Sequence, residues 1–101
     1  MPCYYQSVSE IEIKDEEILK KAFQRLGLGD YYHQKGLYSF GSHSIKIEGN
    51  KATIVSTDYG FAGRLKQAYG VEAAKKELKK RGMRYKEIRV DNKVRLVVQG
   101  G

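Results

Sequence analysis

The side chains capable of covalent or metal chemistry are few in this sequence, and their spacing organises none of them. Cys3, His33 and His43 are the only soft metal ligands among the 101 residues. No two of them stand at the short spacing of a zinc pair or at i, i+4 on a helix, so no metal site is expected. Cys3 with either histidine would make a nucleophile and base only across the fold. No local signature surrounds any of the three, and an inert cysteine near the terminus is the simpler expectation. Asp58, in Asp58-Tyr59-Gly60 ahead of a helical stretch, offers a carboxylate. Thr57 and Asp58 are also the residue types that start helices, and capping is their ordinary use. The glycines contain no G-x-G-x-x-G or Walker arrangement, so no nucleotide cofactor is expected.

The cations are far more organised. Lys75, Lys76, Lys79 and Lys80 fall on the helix face opposite Val71, Ala74 and Leu78, and Arg81 and Arg84 follow at the helix end. Arg89 and Arg95 belong to a terminal hairpin. The expected register sets them opposite each other on the face away from the core, where like charges repel unless Glu87 or a partner relieves them. With eight Tyr and three Phe in the chain, this set suits RNA or a single-stranded nucleic acid through phosphate contact and stacking. No RNP1 motif or other named RNA-binding module accompanies it. An acidic protein partner, met by the same lysine face or by an exposed sheet edge, is the competing expectation. A small enzyme or ligand-binding protein with a pocket between sheet and helices is a third. A merely solvated lysine-rich face is the bland alternative.

Charge is unevenly spread. Of a net +7, residues 1–61 hold 7 Lys+Arg against 8 Asp+Glu, whereas residues 62–101 hold 12 against 4. The excess therefore lies wholly in the C-terminal part, which hints at an anionic partner and says nothing about fold. The length suits one domain, 1–101. Hydrophobic residues make up 41%, enough to argue against intrinsic disorder. No signal-like N-terminus and no run of about 20 apolar residues is present, and a single cysteine gives no disulfide, so a cytoplasmic protein without membrane contact is expected.

The elements that must position these groups follow from periodicity. Residues 4–13 end in the alternation Ile11-Glu12-Ile13, a first strand. Asp15 reads as a helix N-cap followed by Glu16 and Glu17, with Ile18, Leu19, Ala22, Phe23 and Leu26 on one arc and Gly27 as the stop. Residues 27–33 read as loop and 37–40 as a short strand. Gly49-Asn50 is a two-residue turn that sets Ile47 against Ala52 and Ile45 against Ile54. From 60 to 82 the apolar stripe swings from Phe61, Leu65 and Ala68 to Val71, Ala74 and Leu78, which predicts a break near Gly70 and a second helix over 71–81, stopped by Gly82. The terminal hairpin is expected to turn through three residues, pairing Val90 with Val94 and Ile88 with Leu96, before a frayed Gln99-Gly100-Gly101.

The expected fold is α+β, an antiparallel sheet built from hairpins with helices packed on one face. Its expected core is Ile11, Ile13, Ile18, Leu19, Ala22, Phe23, Leu26, Ile45, Ile47, Ile54, Leu65, Val71, Ala74, Leu78, Ile88, Val90, Val94, Leu96 and Val98.

Two blocks carry a likeness. Residues 13–27, IKDEEILKKAFQRLG, and residues 67–98, QAYGVEAAKKELKKRGMRYKEIRVDNKVRLVV, cover about half the chain. They resemble an uncharacterised family of small proteins from bacteria, cyanobacteria and algal plastids, a conserved hypothetical chloroplast reading frame or domain of unknown function. The shared features are the acid-led first helix ending in Leu-Gly, the Gln-Ala-Tyr step into a Lys/Glu-rich helix ending in Gly, and the closing Val94-Arg95-Leu96-Val97-Val98. The middle, residues 31–56, is shorter than that pattern, and tryptophan is absent. The resemblance implies an order of elements and no activity, cofactor or catalytic residue.

Overall fold

The computed structural model describes residues 7–28, 31–91 and 93–99. Cys3, the first residues of the expected opening strand, Asn92 and the closing Gly100-Gly101 lie outside them. The element order is β1 (Ser7–Glu12), α1 (Glu16–Arg25), β2 (Tyr32–Gln34), β3 (Leu37–Phe40), β4 (His43–Glu48), β5 (Lys51–Ser56), α2 (Phe61–Lys80), β6 (Arg84–Val90) and β7 (Lys93–Gln99). β1 to β5 form an antiparallel sheet in the order β1-β5-β4-β3-β2, and β6 with β7 forms a separate two-stranded ribbon. The α+β class is thus shown. No helix among the described residues is long and apolar enough to cross a membrane.

The period-two pattern of the sheet puts Ile11, Tyr38, Ile45, Ala52 and Ile54 on one buried face, with the helices' Leu19, Ala22, Phe23, Phe61, Leu65 and Ala68 against it. β4 and β5 pair in the expected register, Ile47 with Ala52 and Ile45 with Ile54, across Gly49-Asn50. Asp15 caps α1 as expected, its Oδ1 accepting from Glu17 N–H at 2.9 Å. Both helices stop at the predicted glycines. Gly27 (φ 72°) and Gly82 (φ 70°) take the left-handed turn that lets the next residue donate back, Leu28 to Phe23 and Met83 to Leu78.

Several expectations are corrected. α2 is one unbroken helix of 20 residues with Gly70 inside it. The apolar stripe turns because the partner changes: Phe61, Leu65 and Ala68 pack into the main core, while the later turns meet the terminal ribbon. A helix can serve two partners in succession without breaking. The terminal hairpin turns through two residues, pairing Val90 with Lys93 and Arg89 with Val94. Asp91 accepts the left-handed conformation (φ 47°) that a tight hairpin turn requires and that Asp tolerates.

That one-residue difference exchanges the ribbon's faces. Arg89 and Arg95 are therefore not opposite each other, and Ile88 and Val90, expected in the core, are exposed. Ala74 and Val98 are exposed as well, while Leu26, Ile47, Leu78, Val94 and Leu96 are half-buried. Lastly, the stretch read as loop contains β2, and Gln99 is paired with Arg84 rather than frayed. Tyr38, absent from the expected core, is fully buried and donates to Glu16 Oε2 at 2.9 Å.

Candidate functional site

The histidine, serine and carboxylate nearest to catalytic geometry form a structural joint. His43 Nδ1 lies 2.5 Å from Ser56 Oγ, which accepts from Asp58 N–H at 2.9 Å. Asp58 does not cap α2. Its Oδ1 accepts from Gly60 N–H at 2.9 Å and its carbonyl from Phe61 N–H, two residues ahead of the N-cap Gly60, which has no side chain to bond. Burial lowers the pKa of His43, so the ring is neutral at pH 7, stacked on Phe61 at 3.8 Å. Ser56 is 1% exposed, closed to any substrate. Among the described residues no three His, Cys, Asp or Glu side chains group as metal ligands do. His33, the other histidine, stacks on Tyr38 at 4.1 Å.

The eight cations singled out in the sequence separate into distinct settings. Lys75 is half-buried, its Nζ 3.0 Å from Glu87 Oε2 and 3.5 Å from Glu72 Oε2. Lys76 pairs with Asp15, and Arg81 with Glu77 at 3.0 Å. Lys79 and Lys80 are exposed, without an ion pair among the described residues. Arg84 and Arg95 lie on the ribbon face turned away from the helices, and Arg89 lies on the face toward them.

The two-residue turn gives that outward face its character. Residues 84, 86, 88 and 90 of β6 and 93, 95, 97 and 99 of β7 share it. It therefore carries Arg84, Lys86, Lys93 and Arg95 with Ile88, Val90, Val97 and Gln99, and no carboxylate. Every cation pairs with an uncharged residue across the ladder: Arg84 with Gln99, Lys86 with Val97, Arg95 with Ile88 and Lys93 with Val90. The repulsion expected between Arg89 and Arg95 does not arise. Ile88, Val90 and Val97 are 37–49% exposed.

The single acid of the ribbon's two strands, Glu87, points inward. Its Oε1 meets Arg25 Nη1 at 2.6 Å and its Oε2 meets Lys75, and Arg25 first, then Lys75, pull its pKa down to about 2. Sequence reasoning missed Lys86 and Lys93, because their side of the ribbon depends on one residue of turn length. It missed Arg25 as well, because a contact spanning 62 positions leaves no local trace.

Where the ribbon meets the helices an open cleft of about 480 Å³ remains. Its apolar lining comes from three elements: Leu26 just after α1, Val71 of α2 and Val94 of β7. Three guanidinium groups also line it, those of Arg25, Arg64 and Arg89. Arg25 is oriented by Glu72 at 3.0 Å and by Glu87, and Arg64 by Asp58 at 2.5 Å. Arg89 has no ion pair among the described residues.

No protein-family model, curated protein or solved structure matches this chain.

Proposed function

We propose that this domain is a non-enzymatic binder of RNA or another nucleic-acid polyanion, using the basic C-terminal part of the chain. The observation that carries the reading is the outward ribbon face, with four cations and no carboxylate. Successive cations on one strand stand about 6.6 Å apart, from a strand rise of about 3.3 Å per residue. That repeat suits successive phosphates of an extended strand. The absence of aromatic rings on this face favours contact with the backbone over stacking on bases, hence little sequence preference. Lys79 and Lys80, exposed and without carboxylate partners among the described residues, precede the ribbon in the chain and extend its charge. Lys75 and Lys76 serve the fold through their ion pairs and contribute at longer range.

A salt titration of single-stranded RNA binding by fluorescence anisotropy tests the reading. Replacing Arg84, Lys86, Lys93 and Arg95 together by Gln alters only exposed side chains, so the fold should persist. Binding should weaken sharply, and the slope of log affinity against log salt should flatten by up to about 0.7 for each phosphate that is no longer neutralised. Wild-type protein that fails to bind RNA at low salt, or a variant with the wild-type slope, would leave an acidic protein as the partner of this face.

A further inference from the structure

We propose that the cleft between α1, α2 and the terminal ribbon is a binding site for a small organic anion with a flat, weakly polar body, of the nucleoside monophosphate class. The cleft has two chemically distinct parts. Leu26, Val71 and Val94 present aliphatic surface, while Arg25, Arg64 and Arg89 bring guanidinium groups to the same space, and no carboxylate lines it among the described residues. The carboxylates that orient two of these arginines, Glu72, Glu87 and Asp58, are not among the lining residues. They fix the guanidinium planes without occupying the cleft. Arg89 forms no ion pair among the described residues, so its charge is available to a ligand.

A guanidinium group binds phosphate through paired N–H donors and also stacks on planar rings. Aliphatic surface beside it would cover the other side of such a ring. A volume of about 480 Å³ lies in the range of small-molecule sites. Because the lining comes from both helices and the ribbon, a ligand there bridges them and favours the docked ribbon. The site is separate from the outward ribbon face, which lies on the opposite side of the same two strands.

Isothermal titration of the full chain with adenosine 5′-monophosphate, adenosine and inorganic phosphate tests the assignment. The monophosphate should bind saturably, about tenfold or more tighter than either fragment, since both halves of the lining are then used. Arg89→Gln, with an unchanged melting curve, should weaken it by about tenfold or more, because a charge-assisted hydrogen bond to the phosphate is removed. Val94→Phe, which fills the cleft, should abolish binding. The fourfold Gln variant of the outward face should bind the monophosphate as wild type does, which separates this site from the polyanion surface. Monophosphate binding no tighter than inorganic phosphate, or undiminished in folded Arg89→Gln or in Val94→Phe, would overturn the assignment.

Discussion

One phenol ties the start of the first helix to the middle of the second. The Tyr69 hydroxyl accepts from Lys14 N–H at 2.8 Å and from Asp15 N–H at 3.2 Å, two donors the backbone leaves unpaired as it passes from β1 into α1. Asp15 then caps the helix and pairs with Lys76, whose ammonium, together with the Glu17 N–H, holds its carboxyl below the ordinary range. Tyr69→Phe keeps the ring and removes the acceptor. Both donors lie near solvent, so water compensates in part, and a destabilisation of about 1 kcal/mol is expected by urea denaturation. No measurable change would mean that water already serves these groups. The cap at Asp15 was legible because its signal is local: an Asp, two glutamates and an apolar arc. The Tyr69 bond was not, because it joins positions 55 apart. The same distinction explains Ser56 and His43, whose contact depends on adjacent strands.

At the scale of elements, legibility follows how strongly turn chemistry and burial agree. In β4–β5, Gly49-Asn50 and the alternation Ile45, Ile47, Ala52, Ile54 demand one register, and that register is observed. In β6–β7 the turn and the apolar pattern favour different registers. Pattern alone chooses the one that buries Ile88 and Val90, yet the ribbon packs on the helices by one side only, so its aliphatic residues are divided between faces. Helix α2 misleads for a related reason, since a stripe that rotates records a change of partner as well as a break. Gly70 is exposed, and a β-carbon placed there would meet nothing within 4 Å. Gly70→Ala should therefore stabilise the protein by about 0.5 to 1 kcal/mol, through helix propensity and a less flexible unfolded chain. Thermal unfolding measures it, and a lower midpoint would show that the glycine serves a bend.

For the whole molecule, the decisive feature is that the terminal ribbon does not join the main sheet. The molecule extends 59 × 32 × 22 Å, with a radius of gyration of 15.2 Å, against about 13 Å for a compact chain of this length. A two-stranded ribbon alone is marginal in water. This one relies on half-buried Tyr85, Val94 and Leu96 and on Glu87, which meets Arg25 and Lys75. Because the pKa of Glu87 is depressed from 4.5 to about 2, its contribution is complete above the unfolded value and disappears as pH falls toward the folded one. Docking should thus be intact at neutral pH and loosen between roughly pH 5 and pH 2. The Glu87 side chain is 34% exposed, and Arg25 retains Glu72 in its absence, so the destabilisation amounts to about 1 kcal/mol. Hydrogen exchange resolves it by element. Amides of β6 and β7 should lose protection at higher pH than those of β4 and β5, and Glu87→Gln should show weakened ribbon protection already at pH 7, with no further dependence across that window. Ribbon and sheet opening together in wild type, with full ribbon protection in Glu87→Gln, would assign the docking to apolar contact alone.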